Sequence, residues 1–449
     1  MPFVAVDVKN RKESSMVEKD CEVREVLLAK LQKVTETAYA DVYRNYWKVT
    51  DTYSCLANEF KEGRDTLSEL AWNFVMMMLA METYYYTSGN ESVIHCVREQ
   101  MNTYYRYSSE EFFLGTGGGS NPAHDDAAWT AMGFMLAYRL TNDMKALGYA
   151  REMIIRSYNY WQDGTTENGL WYCYPEDNNG HIQVKSIYCA GLILSALDYY
   201  EVTKETQLED AEMHQRTLAL YEWVERNLRR DGKRTWNDQV FNYCDNLYFT
   251  DFVDDKVSGD YYPRQYNETE HIIPRRSWTS LFGNMAMAVI NERLFKLTGD
   301  RKYRDKALAT ANALVKTEIN RDGCFLNDRD AWTNTAFLGV FVREILPLEE
   351  ADPELGRMLL RTADAILKNT YYEGGFYGSD WDASGVWLCD DTCGEHTLWI
   401  PANATTVHVL FAAYAAMKNG WIEVTQQDSA LMNVLIPQRK LDEMGKVVR

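Results

Sequence analysis

Residues 67–86 read LSELAWNFVMMMLAMETYYY, a segment that is apolar on nearly every face of a helix, and the turn Thr87-Ser-Gly-Asn90 follows it. A helix of this composition must be buried on most sides, since a surface helix has only one apolar stripe. The next segment, 91–107, is amphipathic at helical spacing, with its charged residues on the outer face. The stretch therefore predicts an inner helix and an outer helix, joined by a tight turn in which glycine or asparagine ends the first.

The same alternation recurs six times along the chain, with an amphipathic segment before each apolar one. The apolar segments are 67–86, 125–141, 185–203, 278–298, 331–346 and 401–418. The amphipathic segments are 23–49, 91–107, 143–163, 207–230, 300–320 and 352–372. An internal repeat of about 50–60 residues is typical of stacked helical hairpins. Because no hairpin can bury its inner face alone, we predict an all-α chain closed into an (α/α)6 toroid of six helical hairpins; an open solenoid, which needs polar capping repeats, is the alternative.

The loop lengths predict where function lies. The toroid should occupy residues 21–420, with an N-terminal extension over 1–20 and a C-terminal tail over 421–449. Connections after the apolar segments are short, whereas those before them are long. The long ones are 50–66, 108–124, 164–184, 231–277, 321–330 and 373–400. In a closed ring they would share one face, the long-loop face, above the N-terminal ends of the inner helices. Long loops in compact domains usually carry function.

Composition narrows the class of protein. The chain has 449 residues, 46% of them hydrophobic and 25% charged, as in soluble globular proteins. A net charge of −19 argues against a nucleic-acid partner or an anionic membrane surface. Nine cysteines, an odd number, and an N-terminus without a visible signal peptide suggest reduced thiols and a cytoplasmic protein. A secreted protein is the alternative, since enzymes that cut polysaccharides are commonly exported. We expect a monomer. Aromatic residues, at 13%, fit either a large helical core or stacking on sugar rings.

The second apolar segment opens on Asn121-Pro-Ala-His-Asp-Asp-Ala-Ala-Trp129. Asp125 and Asp126 fall at the start of the helix, where the positive end of its dipole favours carboxylates. A single acid there is most often a capping residue. Two adjacent acids, flanked by His124 and Trp129, favour a catalytic pair because neighbouring carboxylates cannot both ionise freely. One ionised and one protonated carboxyl, about 5–5.5 Å apart, are what a retaining glycosidase needs.

The motif 124–129, continuing into AMGFMLAYRLT, resembles the Asp-Asp-x-x-Trp signature of glycoside hydrolase family 76. Members of that family are endo-α-1,6-mannanases on an (α/α)6 toroid. Further similarity lies in Leu70-Ala-Trp72 with TYYYTSG, in Gly169-Leu-Trp171 with Lys185, and in the segment 293–300 with Tyr303 and Ala307. The resemblance covers most of residues 20–418. It implies that Asp125 is the nucleophile and Asp126 the general acid/base of a retaining hydrolase acting on α-mannosidic, in particular α-1,6, linkages of a carbohydrate substrate.

The chain departs from the family pattern at two places. Residues 278–285 read WTSLFGNM where the family carries a Thr-Tyr-Asn-Gln-Gly stretch, and Lys185 is followed by Ser-Ile-Tyr instead of an asparagine-rich run. Both departures bear on α-mannan specificity more than on the hydrolytic chemistry.

Eight of the thirteen tryptophans fall in long connections or in the first turn of an apolar segment, a bias that core packing does not readily explain. We expect the sugar chain to be bound by His124, Trp129, Trp171, Lys185, Trp278, Asn284, Trp332, Trp381 and Asp382. Three of these, Trp171, Trp278 and Trp381, are predicted stacking platforms. Alternatively, each plugs the loop layer as a small satellite core.

Other acidic residues on the same face are expected to be solvated or to bind sugar hydroxyls. They are Asp254, Asp255, Asp328, Asp330, Asp380, Asp382, Asp390 and Asp391. The segment 389–396, CDDTCGEH, has residue types that bind zinc, but its spacing is loose, and we expect no metal and no cofactor. Two other functions remain open. One is a catalytically silent glycan-binding toroid, and the other is a different (α/α)6 sugar enzyme, an epimerase or an unsaturated glycuronyl hydrolase. Epimerases should use histidines on inner helices, where only His408 lies well inside a segment.

Overall fold

The computed structural model describes residues 5–49, 51, 54–56, 59–60, 72–107, 124–160, 182–187, 190–236, 239–255, 261–263, 280–317, 322–326, 335–378, 381 and 398–433. Its α-helices alternate between an outer and an inner ring. The inner helices are α2 (Trp72–Ser88), α4 (His124–Thr141), α6 (Ala190–Thr203), α8 (Leu281–Thr298), α10 (Leu338–Glu344) and α12 (Ile400–Lys418). The outer helices are α1 (Ala5–Tyr46), α3 (Ser92–Tyr107), α5 (Met144–Tyr160), α7 (Ala211–Asn227), α9 (Arg301–Thr317) and α11 (Glu354–Asn369).

The inner helices form a closed ring. Each packs against the next, from α2 through α4, α6, α8 and α10 to α12, and α12 returns to pack against α2. At this seam Lys418 Nζ donates to the carbonyl of Thr87 at 2.6 Å. Arg24 of α1 donates to the carbonyl of Met417 at 2.9 Å, which ties the first outer helix to the last inner one. The predicted all-α toroid is confirmed, and the closure excludes the open solenoid.

Burial explains why the inner segments are apolar all round. Every residue of α12 from Ile400 to Met417 is buried, because one side of the helix packs on its ring neighbours and the other on α1 and α11. The outer helix α11 instead buries one stripe, which includes Leu355, Met358, Leu359, Ile366 and Leu367. The two hydrophobic patterns therefore report the two layers of the ring.

Short turns end the inner helices, as the sequence predicts. Gly299 caps α8 with φ 71°, and its N–H donates to the carbonyl of Phe295. Gly89 and Asn142 have φ of 70° and 55° at the equivalent places after α2 and α4. Only a residue tolerant of the left-handed region fits there, which is why glycine and asparagine mark these ends. We call this end of the ring the short-loop face.

Antiparallel strands of two to ten residues lie in or beside the long connections. They are β1 (Trp47–Val49), β2 (Ser54–Leu56), β3 (Glu59–Phe60), β4 (Ile182–Ser186), β5 (Arg229–Trp236), β6 (Gln239–Tyr248), β7 (Asp251–Asp255), β8 (Tyr261–Pro263), β9 (Tyr371–Tyr372), β10 (Phe376–Tyr377) and β11 (Leu398–Trp399). Among them β4, β7 and β8 form a three-stranded sheet, and the others pair two by two, β3 with β11.

Three boundaries differ from the prediction. Lys185 lies in strand β4, so the third inner helix begins only at Ala190. Helix α10 begins at Leu338 and has seven residues, although the apolar segment starts at 331. Helix α1 begins at Ala5 and so runs through the expected N-terminal extension. Within the described ranges no helix combines the length and hydrophobicity that a bilayer span requires.

Candidate active site

The two adjacent aspartates lie in the first turn of inner helix α4, which begins at His124. The side chains of His124, Asp125 and Asp126 lie outside the described part of the chain, so their position rests on the backbone. In a helix, residues three and four before a given position share its face. Trp129 faces the centre of the ring of inner helices, where it contacts Phe282 and Phe337. Positions 125 and 126 therefore lie on the same face of α4, one turn nearer to the long-loop face.

Trp129 belongs to an aromatic layer that crosses the lumen. Its ring lies 6.5 Å from that of Phe282, at the start of α8, and 6.2 Å from that of Phe337, just before α10. The Phe282 and Phe337 rings are 5.8 Å apart and almost parallel, at 8°. All three residues are buried, Trp129 at 4% exposure. Offset stacking of this kind adds to the energy of burial. These are the contacts of a packing residue, not of an exposed sugar platform.

Asn284 is fully buried and holds a loop to its helix. Its Oδ1 accepts from the backbone N–H of Tyr248 at 2.8 Å, and its Nδ2 donates to the carbonyl of Ser280 at 2.9 Å. Tyr248 ends strand β6, and its hydroxyl donates to Glu225 of α7. The side chain that the sequence suggests for sugar binding thus joins the long hairpin β5–β6 to the first turn of α8.

The last inner helix repeats this arrangement. Asn403, the fourth residue of α12 as Asn284 is of α8, accepts from the N–H of Tyr377 at 2.8 Å. Tyr377 lies in the hairpin β9–β10, and its hydroxyl donates to Asp41 of α1 at 3.4 Å. Sequence reasoning missed Asn403; the shared position of asparagine in the first turn of two inner helices is a signal that could have found it.

Trp381 is 1% exposed, and its indole N–H and backbone carbonyl are both hydrogen-bonded. Its Nε1 donates to the carbonyl of Phe325 at 2.8 Å, and its own carbonyl accepts from Asn369 Nδ2 of α11 at 2.8 Å. Because the indole is enclosed, Trp381 packs as a buried residue beneath the loops and does not offer an exposed surface on which a sugar could stack.

The remaining expected site residues are placed in part or not at all. Lys185 pairs with Phe252 of β7 in a strand, with its side chain outside the described residues, and Asp254 and Asp255 lie in β7. Other expected residues lie outside the described residues altogether: Trp171, Trp278, Trp332, Asp382, Asp328, Asp330, Asp380, Asp390, Asp391, and the segment 389–396. Among the residues that the structure describes, no cluster of three metal-binding side chains occurs.

A belt of ion pairs crosses the inner ring near the short-loop face. Arg139 of α4 bridges Glu82 of α2 at 2.8 Å and Asp198 of α6 at 2.9 Å. Arg293 of α8 bridges Asp198 at 2.6 Å and Glu344 of α10 at 2.5 Å. The cations stand near helix C-termini, where the dipole favours them. Burial raises the pKa of Asp198, whereas at Glu344 burial acts in the same direction but Arg293 and Lys296 outweigh it and lower the pKa.

This belt lines a cavity that also contains His408 of α12. His408 Nε2 is 2.9 Å from Thr83 Oγ1, and its ring bonds to the backbone of Thr335. Burial, with a contribution from the Arg343 guanidinium, lowers the pKa of His408 to about 3, so the imidazole is neutral near pH 7. The cavity measures ≈ 30 Å³, which is room for about two water molecules and not for a sugar.

Sequence reasoning missed the belt, although a signal for it was present. Its members are charged residues inside otherwise apolar segments, each within about two turns of the end of its inner helix. Such residues are rarely buried unless they are paired, so their recurrence at one end of successive inner helices indicates a paired ring.

Comparison with known proteins identifies the fold. No protein-family model matches the sequence, and no curated protein matches it either. Solved structures do match this chain. A family 76 glycoside hydrolase (mannosidase) from Bacteroides thetaiotaomicron VPI-5482 has a TM-score of 0.64 and 15% identity, covering 87% of this chain and 99% of that one. A cellobiose 2-epimerase from Bacillus thermoamylovorans B4167 has a TM-score of 0.57 and 14% identity, covering 86% and 99%.

A third structure that matches this chain carries replacements at two consecutive aspartates. It is an inactive variant of the family 76 α-1,6-mannanase of Salegentibacter sp. HEL1_6, in which two consecutive aspartates are replaced by asparagine, in complex with α-1,6-mannotriose. Its TM-score is 0.61 at 17% identity, and the match covers 86% of this chain and 99% of that one. The chain therefore shares its toroid fold with family 76 glycoside hydrolases and with a sugar epimerase.

Proposed function

We propose that the protein is a retaining glycoside hydrolase that cleaves α-mannosidic, in particular α-1,6, linkages, with Asp125 as nucleophile and Asp126 as general acid/base. The observation that carries the proposal is the adjacent acid pair in the first turn of α4, at the long-loop mouth of a closed toroid. The mannanase that shares this fold is inactive when two consecutive aspartates are replaced. The partner we propose is accordingly a carbohydrate chain.

The mechanism follows from the two roles. Asp125 would attack the anomeric carbon while Asp126 protonates the leaving oxygen, and Asp126 would then deprotonate the water that releases the sugar. The positive end of the α4 dipole stabilises the ionised nucleophile. Two successive inversions give retention of the anomeric configuration.

The first test is an assay on linear α-1,6-mannan followed by NMR of the first product anomer. We expect α-configured product from the wild type. Asp125→Ala should abolish cleavage of both mannan and activated aryl mannosides, because no glycosyl-enzyme can form. With aryl mannosides, Asp126→Ala should spare the first step, whose leaving group needs no proton, and slow only the release of the sugar from the enzyme. With mannan the first step also loses its acid, and the rate should fall by about 10²–10⁴-fold. Equal losses on both substrates for the two variants would contradict these roles.

The epimerase is the second candidate, since a cellobiose 2-epimerase shares the fold. The environment of His408 disfavours it. A proton-transfer base works best with a pKa near the working pH, whereas the pKa of His408 is lowered to about 3 and its ring is enclosed by Thr83 and the backbone of Gly339. Incubation with cellobiose and NMR of the reducing sugar would identify this activity.

The remaining alternative is a catalytically silent glycan-binding toroid. Binding of mannotriose without turnover of any glycan would indicate this function.

A further inference from the structure

We propose, on the basis of the function proposed above, that Trp129 is a positioning residue and not a sugar platform. With Phe282 and Phe337 it forms the floor of the active site. This floor holds the first turn of α4, and hence Asp125 and Asp126, at the mouth of the lumen.

The floor is built from three different inner helices. Trp129 comes from the second turn of α4, Phe282 from the first turn of α8, and Phe337 from the residue before α10. The starts of these helices can therefore shift relative to one another only if the stacked rings separate. Phe282 is itself anchored, because Asn284 in the same turn donates to the carbonyl of Ser280 and accepts from the N–H of Tyr248.

Close packing fixes the floor from the side. A Cβ atom added at Gly191, in the first turn of α6, would lie 2.3 Å from Met132 Sδ and 3.4 Å from Phe337 Cζ. No side chain larger than glycine fits there without displacing the methionine, so the backbone of α6 lies directly against the layer. Close-packed interiors respond to the loss of a large ring by partial collapse. Such a collapse at Trp129 would move the helix turn directly above it.

The floor also lies between the two ends of the inner ring. Above it stand positions 125 and 126, one turn of helix before Trp129. Below it lies the cavity lined by Phe337, Met132, Arg139, Arg343 and His408. The buried aromatic layer thus separates the proposed carboxylate pair from the charged belt of the short-loop face.

The test compares Trp129→Leu and Trp129→Phe with a matched control on the same helix. Phe134→Leu is the control, since Phe134 is 0% exposed but stacks on Tyr149 of α5, 5.3 Å away and outside the lumen. On linear α-1,6-mannan, Trp129→Leu should lower kcat by about 10²-fold, as misplaced catalytic groups do, with KM little changed. Trp129→Phe should restore most of kcat, and Phe134→Leu should lower the melting temperature while leaving kcat near wild type.

A second readout does not depend on activity. The amides of residues 128–130 donate to the carbonyls of 124–126 in a regular helix, so their hydrogen exchange reports the first turn of α4. This exchange should accelerate in Trp129→Leu and not in Phe134→Leu. Equal acceleration in both variants, or a raised KM with unchanged kcat in Trp129→Leu, would overturn the proposal. If the wild type cleaves no glycan, the proposed function fails, and the exchange result alone decides whether Trp129 positions the turn.

Discussion

At the scale of single residues, Asn284 shows how a polar side chain in an inner helix can be structural. Its amide satisfies the backbone N–H of Tyr248 and the carbonyl of Ser280, neither of which reaches water. Buried polar groups of this kind are costly to leave unpaired. Asn284 therefore holds the long hairpin in place and has no free group to offer a sugar.

We expect Asn284→Ala to destabilise the protein by about 1–3 kcal/mol, because the Tyr248 N–H loses its acceptor. Asn403→Ala should lower the free energy of unfolding by a similar amount, because the N–H of Tyr377 loses its acceptor. Urea unfolding of both variants, together with mannotriose affinity, checks this. If Asn284→Ala lowered the affinity for mannotriose without lowering stability, Asn284 would instead be a sugar-binding residue.

The burial of His408 predicts how the stability of the protein depends on pH. Its pKa is about 3 in the folded protein, against about 6.5 in an unfolded chain. The unfolded state therefore binds the proton more strongly, and this group's contribution to stability falls as the pH drops below 6.5. The expected slope is about 1.4 kcal/mol per pH unit. Urea unfolding between pH 7 and 5 should show wild type losing stability relative to His408→Gln; parallel curves would contradict the burial.

At the scale of elements, Trp381 illustrates how a residue outside the helices connects them. It bonds to Phe325 between α9 and α10 and to Asn369 at the end of α11. The Phe325 N–H in turn donates to Thr362 Oγ1 of α11 at 2.9 Å. Trp381 therefore closes a small layer of loops against the outer helix.

Trp381→Ala should lower stability by about 3–5 kcal/mol, the usual cost of truncating a large buried aromatic side chain. Glycan affinity should stay unchanged, as measured by titration with mannotriose. Trp421→Ala is a suitable comparison, since Trp421 is only partly buried and should cost less. Weakened glycan binding with an unchanged melting temperature would instead support a stacking platform.

At the scale of the whole molecule, the ring is held by inner-helix packing and by the ion-pair belt near the short-loop face. Arg293 is central to this belt, because it contacts Asp198 of α6, Glu344 of α10 and, at 2.9 Å, Glu201. Removal of one partner from a buried network leaves uncompensated charges, which is the expensive case. The belt lies at the end of the ring opposite positions 125 and 126.

Arg293→Met should therefore destabilise the ring by about 3–5 kcal/mol without changing KM on mannan. Arg301→Met is the control: Arg301 pairs with Asp305 and Glu350 but is 68% exposed, and we expect no measurable change. The midpoints of urea unfolding provide the comparison. Similar losses in both variants would show that burial of the belt has little energetic weight.

The sequence by itself determined the ring, and the reason is burial. A helix enclosed on both sides must be apolar all round, so the alternation of segments such as 67–86 and 91–107 predicts the two layers and, with the glycine and asparagine turns, the hairpin order. It also places Asp125 and Asp126 at the start of an inner helix. Only the tertiary structure decided what Trp129, Asn284 and Trp381 contact, because their partners Phe337, Tyr248 and Phe325 lie far along the chain. Hydrophobic periodicity reports which side of an element faces inward, but it does not report what fills the space there.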